Sequence, residues 1–120
     1  VVYDLEGVLG PSVVAFVDRH VRSLLTWDVL AFFNRNPNAV LDIDGLSARL
    51  GRRAQELQPE LESLIDSGIL DDPGGLIRYR PAEEMRRAVA HFVDSCQDRN
   101  RRLAMIALVL RKIGPQPHTS

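Results

Sequence analysis

The stretch that most restricts the fold is Leu46–Leu70, LSARLGRRAQELQPELESLIDSGIL. A helix running into it should end at Gly51, because the residue just past a helix often needs a positive φ and glycine adopts one with no Cβ clash. Leu57, Leu61, Leu64 and Ile65 then recur at i, i+4, i+7 and i+8. That spacing makes one apolar stripe of a second helix. Pro59 has no N–H and is comfortable only in a first turn. Regular helix is therefore expected from nearer Leu57, after an irregular turn from Arg52 to Glu56. Gly68 closes this helix, and Ile69-Leu70 leave it as a strand. With the stripe turned inward, Gln55, Pro59, Glu62, Ser63 and Asp66 face outward.

The flanking segments extend the pattern. Val1–Gly10 has no strong period and reads as a lead-in. Pro11-Ser12 opens an N-terminal helix over 11–25, with Ser12 as its cap and Val13, Val17, Val21 and Leu24 at helical spacing. Ser23 or Thr26 starts the next helix, Leu24–Asn34, whose apolar side is Trp27, Leu30, Ala31 and Phe33. The run Asn34–Asn38 stops it, and Val40-Leu41 can make only a very short strand. Asp42 is placed to cap a third helix, with Asp44 favourable at its positive end and Ile43, Leu46 and Leu50 on its inner face.

Past Gly68, Ile69-Leu70 and Leu76–Arg80 read as two strands joined by the turn-forming run Asp71–Gly75. Pro81 suits the first position of a last helix, with Glu83 and Glu84 in its first turn. Unbroken to Ile113, that helix is about 50 Å long. Phe92, Cys96, Arg99, Leu103, Ile106, Leu110 and Ile113 alternate spacings of four and three, a heptad-like seam. The polar stretch Gln97–Arg102 leaves open whether the helix bends there. Gly114-Pro115 ends it, and 114–120 is a polar tail. The expected fold is mainly α with a small β-hairpin, in one domain over 1–120.

Composition agrees with one domain. The 120 residues are 45% hydrophobic and 26% charged, enough apolar chain for a core of its own. The formal net charge of −1 provides no global positive field for nucleic acid. Cys96, the single cysteine, cannot form an internal disulfide and fits a reducing cytoplasm. No signal-peptide pattern is present, and the longest apolar run, Leu103–Leu110, is too short to span a bilayer. The expected location is cytoplasmic, with no membrane partner. The chain begins at Val1 rather than Met, as a trimmed piece would.

Helix, helix, short strand, helix, helix, two-stranded hairpin and long helix together resemble the winged helix-turn-helix superfamily, broadly the MarR-like and ArsR-like bacterial regulators. The resemblance is carried by Asp42-Ile43-Asp44-Gly45-Leu46-Ser47-Ala48-Arg49-Leu50-Gly51, similar to the support helix and turn. It is carried also by Leu57, Leu61 and Leu64-Ile65-Asp66-Ser67-Gly68-Ile69-Leu70, similar to the recognition helix and its exit. It covers 24–81, the winged core, with an N-terminal helix at 11–25 and a long C-terminal dimerisation helix at 81–113 as flanks. It implies a homodimeric DNA-binding regulator, with the recognition helix in the major groove and the wing on the backbone or minor groove.

On that reading Arg52, Arg53, Arg78 and Arg80 contact phosphates. Gln55 and Gln58 could read adenine, Glu62 could accept from cytosine, and Ser63 lies beside them. The pattern departs from the family at this surface. Between Arg52 and Leu70, two arginines stand against Glu56, Glu60, Glu62 and Asp66. Nonspecific DNA affinity comes mainly from Lys and Arg neutralising phosphates, so an acidic face loses that contribution. Arg52 and Arg53 could equally be surface charges, and Arg78 and Arg80 could pair with Asp71, Asp72, Glu83 or Glu84. The alternative function is a winged-helix module for protein association whose acidic helix takes a basic partner. A third reading is a ligand sensor with a hydrophobic pocket between the terminal helices and the core.

Dimer-interface candidates are Val13, Val17, Phe92, Cys96, Leu103, Ile106 and Leu110, because a helix apolar all round must be covered on more than one side. Arg99, Arg101 and Arg102 form a basic cluster that is either an anion or partner contact or simply solvated. His20, His91 and His118 are far apart in sequence, and there is no CxxC or HExxH box. No metal, cofactor or catalytic residue is expected, and Cys96 reads as a small buried hydrophobe.

Overall fold

Asp42 shows how local chemistry sets the middle of the chain. Its carboxylate accepts from the Gly45 N–H at 2.7 Å and starts α4, Ile43–Leu50. Gly51 stops α4 with φ 66°, the left-handed conformation in which a side chain would strain the backbone. The computed structural model describes residues 4–113. Val1–Tyr3 of the lead-in, the Gly114-Pro115 stop and the tail lie outside the described residues, as does the side chain of Ile113.

The described chain is mainly helical. Its elements are α1 (Leu5–Leu9), α2 (Pro11–His20), α3 (Leu24–Arg35), β1 (Val40–Leu41), α4, α5 (Ala54–Asp66), β2 (Leu70–Asp71), β3 (Ile77–Tyr79), α6 (Glu83–Ser95) and α7 (Arg99–Ile113). The three short strands make one antiparallel sheet in the order β1-β3-β2. Leu41 pairs with Ile77, and Leu70 with Tyr79. A single 3-10 turn, Pro73–Gly75, closes the β2–β3 hairpin. Gly74 and Gly75 both take positive φ there, which is why two glycines follow the proline. Leu46, Leu57, Leu61, Leu64, Ile69, Ile77 and Phe33 bury the inner faces of these elements in one core.

Several boundaries differ from the expected ones. Part of the lead-in is helical: the Asp4 carboxylate caps α1 through the Gly7 N–H at 2.9 Å. The first long helix ends at His20, with Val21 extended, so 11–25 holds a break and not one helix. Ser12 lies inside α2 and does not cap it; Gly10 occupies the cap position. Ser23 and Thr26 start α3 together, the Ser23 N–H donating to Thr26 Oγ1 at 3.3 Å.

The second helix of the central pair begins at Ala54, three residues before the expected start, and carries Pro59 inside it. Pro59 is exposed, so a carbonyl released from the helix ladder by the missing N–H is on the side open to solvent. The proline's own carbonyl accepts from Arg22 Nη1 at 3.0 Å. Pro81 also falls outside its helix, which begins at Glu83 after Ala82.

The largest difference is the last helix, which is two. α6 ends at Ser95 and α7 begins at Arg99. Asp98 starts the new helix, its carboxylate accepting from the Arg101 N–H at 3.0 Å. The Arg102 guanidinium folds back, donating through Nε to the Cys96 carbonyl at 3.1 Å and through Nη2 to that of Gln97 at 3.0 Å. The carbonyls that a helix end leaves without partners are thereby satisfied. α7 can then pack on α1 and α2. Lys112 Nζ donates to the carbonyls of Val17, Asp18 and Val21 at 2.8, 2.6 and 3.2 Å, placing a cation at the negative end of α2.

Candidate functional site

The outward side of α5 was the leading candidate surface. Leu57, Leu61 and Leu64 are buried, and Gln55, Gln58, Pro59, Glu62 and Asp66 are exposed, with Ser63 half-buried. The helix AQELQPELESLID contains four carboxylates and no lysine or arginine. Its polar side chains partly bond to each other, Gln58 Nε2 donating to Glu62 at 3.1 Å. Arg53, just before the helix, donates to Glu56 Oε1 at 3.2 Å through its side chain and again through its backbone. The Arg53 hydrogen bonds hold the Glu56 carboxyl below its ordinary value.

One acid of α5 does not belong to that surface. Glu60 is buried, and its two oxygens accept from Ser23 Oγ at 3.2 Å and Thr26 Oγ1 at 3.1 Å, at the N-terminal end of α3. A carboxylate is favourable at the positive end of a helix. Its position on the inner side of α5, one residue before Leu61, was the available sequence signal.

The candidate phosphate-contacting arginines are mostly paired. Arg52 lies 3.4 Å from Asp28, and Arg78 lies 2.7 Å from Asp71. Arg78 and Asp71 are register partners on β3 and β2, so the sheet itself sets up this pair. Arg80 is exposed and in no carboxylate pair among the described residues. The tip of the hairpin, Asp72–Leu76, is exposed and carries no basic residue.

The dimer-interface candidates divide. Val13, Val17, Phe92 and Cys96 are at most 1% exposed within a single chain, so they are core and not available to a second copy. Phe92 stacks on Phe16 at 4.7 Å and meets Trp27 edge-on at 5.4 Å. Burial pushes the Cys96 thiol up to about 11, away from thiolate chemistry. Leu103 and Leu110 remain 52% and 55% exposed, with Ile106 half-buried between them. The buried side of α7 is Ala104, Met105, Leu108 and Val109. The break before α7 resets the helical phase, so the expected seam runs inward on α6 and outward on α7.

A groove of about 470 Å³ lies between α2 and the start of α6, bordered by Phe16, Arg19, His20, Glu84 and Met85. His20 is buried there, and among the described residues its Nδ1 has no hydrogen-bond partner. Burial first, then the charges of Arg19 and Lys112, lower its pKa from the ordinary 6.5. Below that value the unfolded chain takes up a proton that the folded chain resists, so this contribution to stability is present above pH 6.5 and is lost as pH falls through the lowered folded value. Thermal melts between neutral and mildly acid pH should show a larger fall for the native chain than for His20→Gln. Equal falls would show that another group controls the acid limb.

Sequence reasoning missed a second cleft, of about 400 Å³, between α3, the α4–α5 turn and the α6–α7 break. Arg35, Arg49, Arg52 and Arg102 all line it, with Asp28 the one carboxylate among the described residues. The four are spread over 68 positions of sequence, from the ends of α3 and α4, the turn, and α7. No local pattern could have linked them. Among the described residues, no group of His, Cys, Asp and Glu could hold a metal ion, and no helix is long and apolar enough to cross a membrane. No family model, curated protein or solved structure matches the chain.

Proposed function

We propose that this chain is a winged helix-turn-helix module that acts by protein association. In this reading α5 presents an anionic face to a basic protein segment, and α7 joins two copies through Leu103, Ile106 and Leu110. The observation that carries it is the exposed side of α5, where Glu62 and Asp66 stand in no ion pair among the described residues and the helix has no lysine or arginine, Glu56 being held by Arg53 just before it. Such a face repels phosphate and attracts arginine and lysine. The proposal assigns no catalytic residue, cofactor or metal, and it places the module in the cytoplasm.

A second reading, a DNA-binding transcriptional regulator, is favoured by the exposed Arg80 on the hairpin and by the arginines beside the α4–α5 turn.

Fluorescence polarisation separates the two. An arginine-rich peptide should bind, should weaken with salt, and should lose at least about tenfold in affinity with Glu62→Lys/Asp66→Lys. A mixed-sequence duplex should not bind at low salt. Duplex binding that steepens with falling salt and flattens in Arg52→Ala and Arg78→Ala would establish the regulator instead.

Self-association is read by light scattering. The native chain should exceed monomer mass, and Ile106→Glu should return it to a monomer with unchanged helical content. A monomeric native chain would remove the α7 contact from the proposal.

A further inference from the structure

We propose that the arginine cleft is a binding site for an organic phosphate of about mononucleotide size. The cleft has two lobes. The polar lobe, about 400 Å³, holds Arg35, Arg49, Arg52 and Arg102 against the single carboxylate of Asp28. The adjoining lobe, about 240 Å³, is walled by Leu24, Trp27 and Met105. Trp27, Asp28, Arg52 and Arg102 border both, so the two lobes are neighbours.

The charges in the polar lobe are unbalanced. Arg52 reaches Asp28 at a long 3.4 Å, and Arg102 is committed to the Cys96 and Gln97 carbonyls, which bear no net charge. Arg49 lies over the Phe32 ring at 5.4 Å, and among the described residues neither it nor Arg35 pairs with a carboxylate. Four arginines against one carboxylate leave the lining net cationic, and a multiply charged anion balances that charge while accepting guanidinium N–H donors. A dianionic phosphate matches this chemistry better than a single carboxylate would. The half-buried indole of Trp27 and the neighbouring aliphatic side chains offer the attached body an apolar wall. Arg86, Arg87, Arg99 and Arg101 lie outside this set, so the convergence is particular to the cleft.

Trp27 is the only tryptophan of the chain, so its emission reports on the site directly. Titration of the full chain with adenosine monophosphate, excited at the red edge of indole absorption, should give a saturable change with a dissociation constant between about 10 μM and 1 mM. Inorganic phosphate should bind more weakly, and adenosine without its phosphate should give no saturable change. Arg35→Ala/Arg49→Ala should weaken the nucleotide at least about tenfold, while Arg87→Ala, outside the cleft, leaves it unchanged. Circular dichroism establishes that both variants are folded. Calorimetric titration repeats the comparison without an optical probe. No saturable response at low ionic strength, or equal affinity in the folded double variant, overturns the proposal. Tighter binding of inorganic phosphate than of the nucleotide overturns the role of the apolar lobe, and competition by a short duplex at far lower concentration reassigns the arginines to a nucleic-acid backbone. Glu62→Lys/Asp66→Lys should leave nucleotide binding intact, which separates this site from the α5 surface.

Discussion

Phe92→Ala should remove about 3–5 kcal/mol of folding free energy, the largest loss expected from any single truncation discussed for this chain. The ring is 0% exposed and is held between Phe16 on α2 and Trp27 on α3, so its removal opens a cavity where three helices meet. Against a total of roughly 5–15 kcal/mol for a domain of this kind, that is about a fifth or more of the stability. Urea unfolding followed by Trp27 emission, at two protein concentrations, measures it. A core role predicts the same loss at both concentrations. An interface role predicts a native-like monomer whose only defect is association, and a loss below about 1 kcal/mol at both concentrations would return Phe92 to the interface.

Glu60→Ala should cost about 2–3 kcal/mol, far more than truncation of its exposed neighbour Glu62, which should stay within about 0.5 kcal/mol. The Glu60 carboxylate is the acceptor for Ser23 and Thr26 hydroxyls at the start of α3. Removing it leaves the buried Thr26 hydroxyl without this acceptor and strips the α3 N-terminus of a favourable charge. Glu60→Gln keeps an acceptor oxygen and should recover part of the loss. Chemical denaturation of the three variants decides the matter. A cost for Glu60→Ala no greater than that for Glu62→Ala would show that the α3–α5 junction does not depend on this carboxylate.

Phe92 and Glu60 owe their roles to packing between elements, which the amino-acid order alone does not display. Local rules held at Asp42 and Gly51 but not at Ser12, Pro59 and Pro81, where neighbouring residues set the helix ends. Asp42 starts a helix because its own carboxylate reaches an N–H three residues on, and Gly51 ends it because no side chain obstructs a positive φ. The hairpin turn, found at Pro73–Gly75 with Asp71 of the expected turn already in β2, the short Val40–Leu41 strand and the inward Leu57, Leu61 and Leu64 stripe follow from equally local rules. Periodicity also separated Glu62 and Asp66 from the interior.

Where several elements compete for the same side chain, sequence reading failed. The seam through Phe92, Cys96, Leu103, Ile106 and Leu110 has a regular spacing, yet Asp98 and Arg102 break the helix and turn its two halves to opposite environments. Val13, Val17, Phe92 and Cys96 looked like interface because periodicity counts apolar positions without saying which surface covers them. The docked α2 and α3 supplied that cover on α6, and α7 packs against α2. Glu60 was indistinguishable by type from its exposed neighbours until α3 brought two hydroxyls to it. The arginine cleft is the extreme case, since its members come from four separate segments and share no spacing at all. Hydrogen bonds within a few residues and the helical repeat are properties of the chain itself. Burial, charge convergence and the availability of a surface are properties of pairs of elements, and they exist only once the elements are packed.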